Sequence, residues 1–233
     1  MVLDPQREVM SPDDFVAEIA REVDSHAQAA GIPEIWKQVI AQCPTDEDVR
    51  RVIIHRLIKG YHQETYIRDV AYEMMRRAPS LRAQEALLRQ VDDEHRHALW
   101  VGAQLRKKGI VPESTEVSLE VETLWDALLG GALRPGSFFV ALAATQLVIE
   151  RGFGLQSTVG FAEAIAGIDP EVAGLYLDKI RRDELFHTIG LPEGLIREYA
   201  MTVEAQNDVR RGVLKGRQLL RLLEADALSA VRK

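Results

Sequence analysis

The 233-residue chain has a single cysteine, Cys43, so neither an internal disulfide nor a cysteine-only metal cage is open to it, and a reducing compartment suits it. Aromatic residues are scarce at 6%, whereas Ala, Leu, Glu and Arg, the strong helix formers, are abundant. Positive charge is in deficit: the net charge of -7 gives no electrostatic reason to approach phosphate backbones, and a nucleic-acid partner is not expected. No stretch approaches the roughly 20 uninterrupted apolar residues of a membrane span, and Met1 to Met10 holds no apolar signal core. The expectation is an all-helical protein with no membrane span, cytoplasmic in location.

Proline is also sparse, and its positions divide the chain into helices. Residues 1 to 12 read as a disordered lead, after which Ser11-Pro12-Asp13-Asp14 gives an N-cap, a first-turn proline and two acids for a helix to about Ala30. Gly31 closes that helix, and Pro33 opens a short one that stops near Cys43-Pro44. Thr45, followed by Asp46, Glu47 and Asp48, caps a long helix to about residue 77. Ala78-Pro79-Ser80 breaks the chain before a second long helix that ends at Lys108-Gly109. Residues 110 to 134 cross over with a helix around Val117 to Leu129, and a third long helix runs from Gly136 to about Ala166. Asp169-Pro170 starts a fourth, which Gly190-Leu191-Pro192 is expected to interrupt. A last helix, about 193–228 and basic between Arg210 and Arg221, should pack on the bundle. These divisions describe one domain over 1–233: a core at about 46–190, N-terminal helices at about 12–43 and the C-terminal helix.

Two segments, Asp93-Glu94-His95-Arg96-His97 and Asp183-Glu184-Leu185-Phe186-His187, spell D-E-x-x-H. The spacing sets a carboxylate and an imidazole on one helical face, a grip for one metal ion. Two such motifs arise by chance roughly once in a thousand sequences of this composition. Each has a lone glutamate opposite it: Glu64 and Glu94 are equidistant from Pro79, and Glu150 and Glu184 from Gly167. In antiparallel helices residues equidistant from the turn sit at one level, so four carboxylates can meet midway along the bundle. Steps of seven and eleven residues from them reach Leu57 and Ala71, Leu87 and Val101, Ala143 and Phe161, and Ala173 and Leu177, so each carboxylate lies on an apolar stripe. Buried carboxylates cost several kcal/mol each, about the scale that two divalent cations and two imidazoles would offset.

Four helices with a lone Glu on the first and third and E-x-x-H on the second and fourth resemble the ferritin-like di-iron carboxylate superfamily. The resemblance implies an all-α, ferritin-like four-helix bundle with extra N- and C-terminal helices, and two iron ions (Fe2+/Fe3+), or a manganese–iron pair. Glu64, Glu94 and His97 would serve one ion and Glu150, Glu184 and His187 the other, with Glu94 and Glu184 bridging. In oxygen-activating relatives an Asp beside the fourth-helix Glu orients a histidine across the bundle, which would pair Asp183 with His97 and Asp93 with His187.

Thr145-Gln146-Leu147-Val148-Ile149-Glu150 together with Arg181-Arg182-Asp183-Glu184-x-x-His187 is similar to aldehyde-deformylating oxygenases. The implied activity is an O2-dependent di-iron oxygenase or oxidase acting on a small or lipid-like organic substrate, with these six residues catalytic. A ferredoxin or flavin reductase would supply electrons, and such bundles are often homodimers. The alternatives are a ferroxidase that handles iron and a rubrerythrin-like peroxidase, though one cysteine cannot build the latter's four-cysteine iron site.

Neighbouring residues read differently. His62 and His95 point off the metal face. Tyr61 and Tyr66 are core or rim residues, Trp100 lies one turn past Glu94, and Val101 stands where a radical-bearing tyrosine would be expected from the ribonucleotide reductase small subunit. Gly152 and Gly154 each cost a helix about 0.5–1 kcal/mol relative to Ala. Close packing, room beside the metals for dioxygen or substrate, or a bulge giving Glu150 room to shift would account for them.

Overall fold

The capping chemistry sets the helices of this protein, for which a computed structural model describes residues 8–136 and 138–229. Ser11 accepts from the Asp14 amide and opens α1, Pro12–Ala29. The chain leaves α1 through Gly31, whose φ of 70° favours a residue without Cβ, and turns through a 3-10 segment into α2, Ile35–Ala41. Thr45 and Asp48 form a complete capping box at the start of α3, Asp46–Met75. Ser80 caps α4, Leu81–Lys107, and Ser118 caps α5, Leu119–Ala132. Next come α6, Phe138–Ile165, then α7 over 170–199, started by Asp169 and Pro170, and finally α8, Val203–Ser229. No strand occurs among the described residues, so the all-α expectation holds.

One expectation is corrected here. Gly190-Leu191-Pro192 does not interrupt the fourth long helix, because α7 widens to π-helical turns at Phe186–Gly190 and Pro192 then falls in the first turn of the segment Leu191–Tyr199. The break comes instead at Ala200, with ψ of 55°. By length and composition α6 would suffice to cross a membrane, but 78% of its apolar window is buried within the fold, as in a core helix. Residues 1–7 of the expected N-terminal lead, and Ser137 near the start of the third long helix, lie outside the described residues.

Helix α6 is the axis of the molecule, packed against α8, α1 and α7. Helix α8 comes so close that a Cβ on Gly212 would sit 2.5 Å from the Val140 carbonyl oxygen, and one on Gly216 2.6 Å from Val148 Cβ. Arginines of the basic stretch of α8 pair with acids of α1, Arg210 with Glu18 at 2.6 Å and Arg217 with Glu22 at 3.0 Å. Arg151, next to Glu150, holds α6 to Asp24 of α1 at 2.8 Å and to Glu193 of α7 at 2.6 Å.

One buried carboxylate ties three helices. Asp226 of α8 lies 2.8 Å from Lys59 Nζ and 3.4 Å from His55 Nε2 of α3, and accepts a 2.7 Å hydrogen bond from Ser118 at the head of α5. Burial alone would raise the Asp226 carboxyl, but His55 and Lys59 hold it well below the ordinary carboxylate range. A carboxyl depressed in the folded state contributes stability above its unfolded pKa and loses it as pH falls.

Gly216→Val should therefore lower stability by about 1–3 kcal/mol through overpacking, read from the urea midpoint. Asp226→Asn, which strands the buried Lys59 ammonium, should cost about 3–5 kcal/mol at pH 7. That gap from the wild type should narrow below about pH 4, where the unfolded-state aspartate begins to protonate.

Candidate metal centre

Midway along the core, α3 contributes Glu64, α4 Glu94 and His97, α6 Glu150, and α7 Glu184 and His187. All six side chains are buried, and Glu94, His97 and His187 are 0% exposed. Two overlapping groups each bring their ligand atoms within 4.8 Å of one another: Glu64, Glu94, His97 and Glu184 in one, Glu94, Glu150 and His187 in the other. Glu94 belongs to both. Its Oε2 lies 3.2 Å from His97 Nδ1 and its Oε1 2.9 Å from His187 Nδ1. Glu184 Oε1 reaches both rings as well, at 3.5 Å from His97 Nδ1 and 3.9 Å from His187 Nδ1, so it lies nearer His97 than its own-motif partner His187.

Each imidazole is held from behind by the aspartate of the other motif. His97 Nε2 lies 3.3 Å from Asp183 Oδ2, and His187 Nε2 lies 3.0 Å from Asp93 Oδ2. Burial alone would raise Asp93, but His187 and Arg96 hold its carboxyl below the ordinary range. Asp93 is thus ionised and accepts the Nε2–H of His187, which turns Nδ1 toward the glutamates.

The cluster is short of positive charge. Burial pushes Glu64 up to about 8 and Glu184 up to about 7, and drives Glu150 well above the ordinary carboxylate range. Burial would raise Glu94 too, but His187 and His97 hold it well below that range. Burial would likewise lower His97, yet its hydrogen bonds to Glu64 and Glu94 push it up to about 12. Left to side chains alone, protons must fill the place of cations. Glu150 Oε1 nonetheless remains without a hydrogen-bond partner. Carboxylate oxygens and imidazole nitrogens of this number and spacing fit a pair of metal ions.

Gln90 and Gln146, both 0% exposed, belong to the centre and escaped the sequence reading. Gln90 Nε2 donates to Glu94 Oε1 at 3.2 Å and Glu150 Oε2 at 3.3 Å, and Gln146 Nε2 donates to Gln90 Oε1 at 3.0 Å. Each lies four residues before a ligand glutamate on the same helical face, the signal that would have found them. His62 turns away to Thr115 at 2.9 Å, His95 is exposed, Tyr66 stacks on Trp125, and Trp100 lies beside His97.

Glu150 sits within a π-helical stretch of α6, Ala143–Leu155. A Cβ on Gly152 would meet nothing nearer than 3.5 Å and one on Gly154 nothing nearer than 3.6 Å, so close packing does not account for these glycines; both lie in the widened stretch, and Gly154 lines the cavity beside Glu150. A narrow cavity opens beside Glu64, Glu150 and Glu184, its far wall formed by Arg56, Thr158 and Tyr176.

No protein-family model matches the sequence, and no curated protein matches it. Among solved structures, the fold is similar to the crystal structure of a TenA homolog from Pseudomonas syringae pv. tomato, with a TM-score of 0.65 at 14% identity over 98% of this chain and 100% of that one. At that identity the likeness is one of fold. It corrects the resemblance to the ferritin-like di-iron carboxylate superfamily. The O2-dependent oxygenase or oxidase activity, its oxidoreductase class, and the ferroxidase and rubrerythrin-like alternatives fall with that resemblance, which alone implied them. The physical reason is that D-E-x-x-H is a property of one helical turn, which arrays donors without deciding which helices pack around them. What stands is a buried cluster of acids and histidines able to hold metal.

If Asp183 positions His97, Asp183→Asn should weaken metal affinity about 10 to 100-fold in competition with a chromophoric chelator. Affinity unchanged from the wild type would remove Asp183 from that role.

Proposed function

We propose that this chain is a metal-dependent protein in which Glu64, Glu94, His97, Glu150, Glu184 and His187 hold two divalent transition-metal ions that act on a small organic molecule in the adjoining cavity. The observation that carries the reading is the convergence of four carboxylates and two imidazoles at 0–8% exposure on four helices. A mixed carboxylate and imidazole set suits iron, with a manganese–iron pair the next choice. When bound, such ions would supply Lewis acidity to an oxygen-bearing group of the molecule beside them.

The chain's own residues have separate tasks. Glu94 is the carboxylate available to both ions, and Asp93 and Asp183 fix the imidazole rings. Gln90 orients Glu94 and Glu150 by hydrogen bonds, and Gln146 holds Gln90 in place by donating to its Oε1. Leu87, Val101 and Ile149, all 0% exposed, help keep bulk water from the centre. The reading includes a cytoplasmic location, supported by the burial of the one apolar helix long enough to span a membrane among the described residues.

Elemental analysis after anaerobic loading with ferrous iron should find two ions per chain in the wild type. Glu94→Ala should lose both, and His62→Ala should keep both. Loading should also raise the unfolding temperature, because ions bound by the folded chain alone stabilise it. A wild type with no bound metal, or a Glu94→Ala chain that retains two ions, would defeat the proposal.

A further inference from the structure

The cavity beside the glutamates has a second chemistry on its far wall. Arg56 of α3 is 3% exposed, and its Nη2 donates to Thr158 Oγ1 at 3.0 Å. Its Nε and Nη1 have no hydrogen-bond partner. The guanidinium is held among three rings, 5.2 Å from the Tyr176 centroid, 5.8 Å from Phe161 and 6.0 Å from Trp36. Those faces attract a cation but accept no N–H in the manner of an oxygen. The Tyr176 hydroxyl on the same wall is also buried and unpartnered. Gly60 makes room for both groups, since a Cβ there would lie 2.9 Å from Tyr176 Oη and 3.0 Å from Arg56 Nη1.

Burying a guanidinium with free hydrogens is unfavourable unless an anion completes it. On the metal-centre reading, on which this step rests, the four glutamates balance two divalent ions, and no carboxylate among the described residues pairs with Arg56. We infer that Arg56, Thr158 and Tyr176 form a subsite for the carboxylate of a small monocarboxylic acid, held between the guanidinium and the glutamate cluster. The cavity measures about 10 Å³, the space of about one water, so an anion enters only by displacing lining side chains, and a three-atom carboxylate head needs less displacement than a five-atom phosphate. Guanidinium and carboxylate are matched in planarity and charge, and the Tyr176 hydroxyl is a further donor to the same anion.

The test titrates acetate, acetamide and inorganic phosphate by calorimetry into metal-free and iron-loaded protein, wild type and Arg56→Gln, with metal counted by elemental analysis. One acetate should bind per wild-type chain, with no binding of acetamide or phosphate. Arg56→Gln should weaken acetate about 10 to 100-fold while keeping its two ions. Should Arg56→Gln fail to fold, Thr158→Val, which removes the acceptor orienting the guanidinium, should weaken acetate and leave the metal count alone. Acetate that binds equally well without Arg56, acetamide or phosphate that binds as well as acetate, or no acetate binding at all would overturn the subsite. A wild type that holds no metal yet binds acetate through Arg56 would defeat the metal-centre reading and leave the subsite standing.

Discussion

Four glutamates buried at one level of a helical core are the constraint to which the rest of this protein answers. Each would cost several kcal/mol as an isolated buried charge, and together they repel. The fold meets the problem in layers. Two imidazoles stand among the carboxylates, two aspartates stand behind the imidazoles, and Arg96 pairs with both aspartates. Gln90 spans Glu94 and Glu150 with neutral hydrogen bonds. Even so, Glu150 Oε1 remains unpartnered, as in a cluster able to hold metal.

The outer helices are part of that arrangement. Glu150 reaches the centre because α6 is fixed on several sides: α8 lies against it with Gly212 and Gly216 at the contact, and Arg151 anchors it to α1 and α7. The widened turns of α6 and α7 fall at Glu150 and His187, where a regular α-helix would aim side chains differently. Local irregularity at the ligands is thus combined with tight packing just outside them, so the donors have room while their helices do not.

The capping residues made most of the helices legible, because Thr45 with Asp48, Ser80 and Asp169 with Pro170 act within a few residues of themselves. The gathering of Glu64, Glu94, Glu150 and Glu184 was legible too, since equal distances from two turns is a property of antiparallel helices whatever their neighbours. Three features were not. Continuity through Pro192 depends on π-helical turns that no propensity signals. Arg56 and Tyr176 meet across more than a hundred residues of sequence, with no local pattern joining them. The ferritin-like resemblance misled because its motif describes donors on single turns, while the fold is decided by how α1, α2 and α8 pack around α6.

The central claim is that two metal ions lie among these six side chains. Anomalous diffraction at the iron edge from crystals loaded with ferrous iron tests it most directly. Two peaks are expected, both within coordinating distance of Glu94, one beside His97 Nδ1 and the other beside His187 Nδ1. A map with no peak at this level of the core, or with iron bound only at surface carboxylates, would contradict the account.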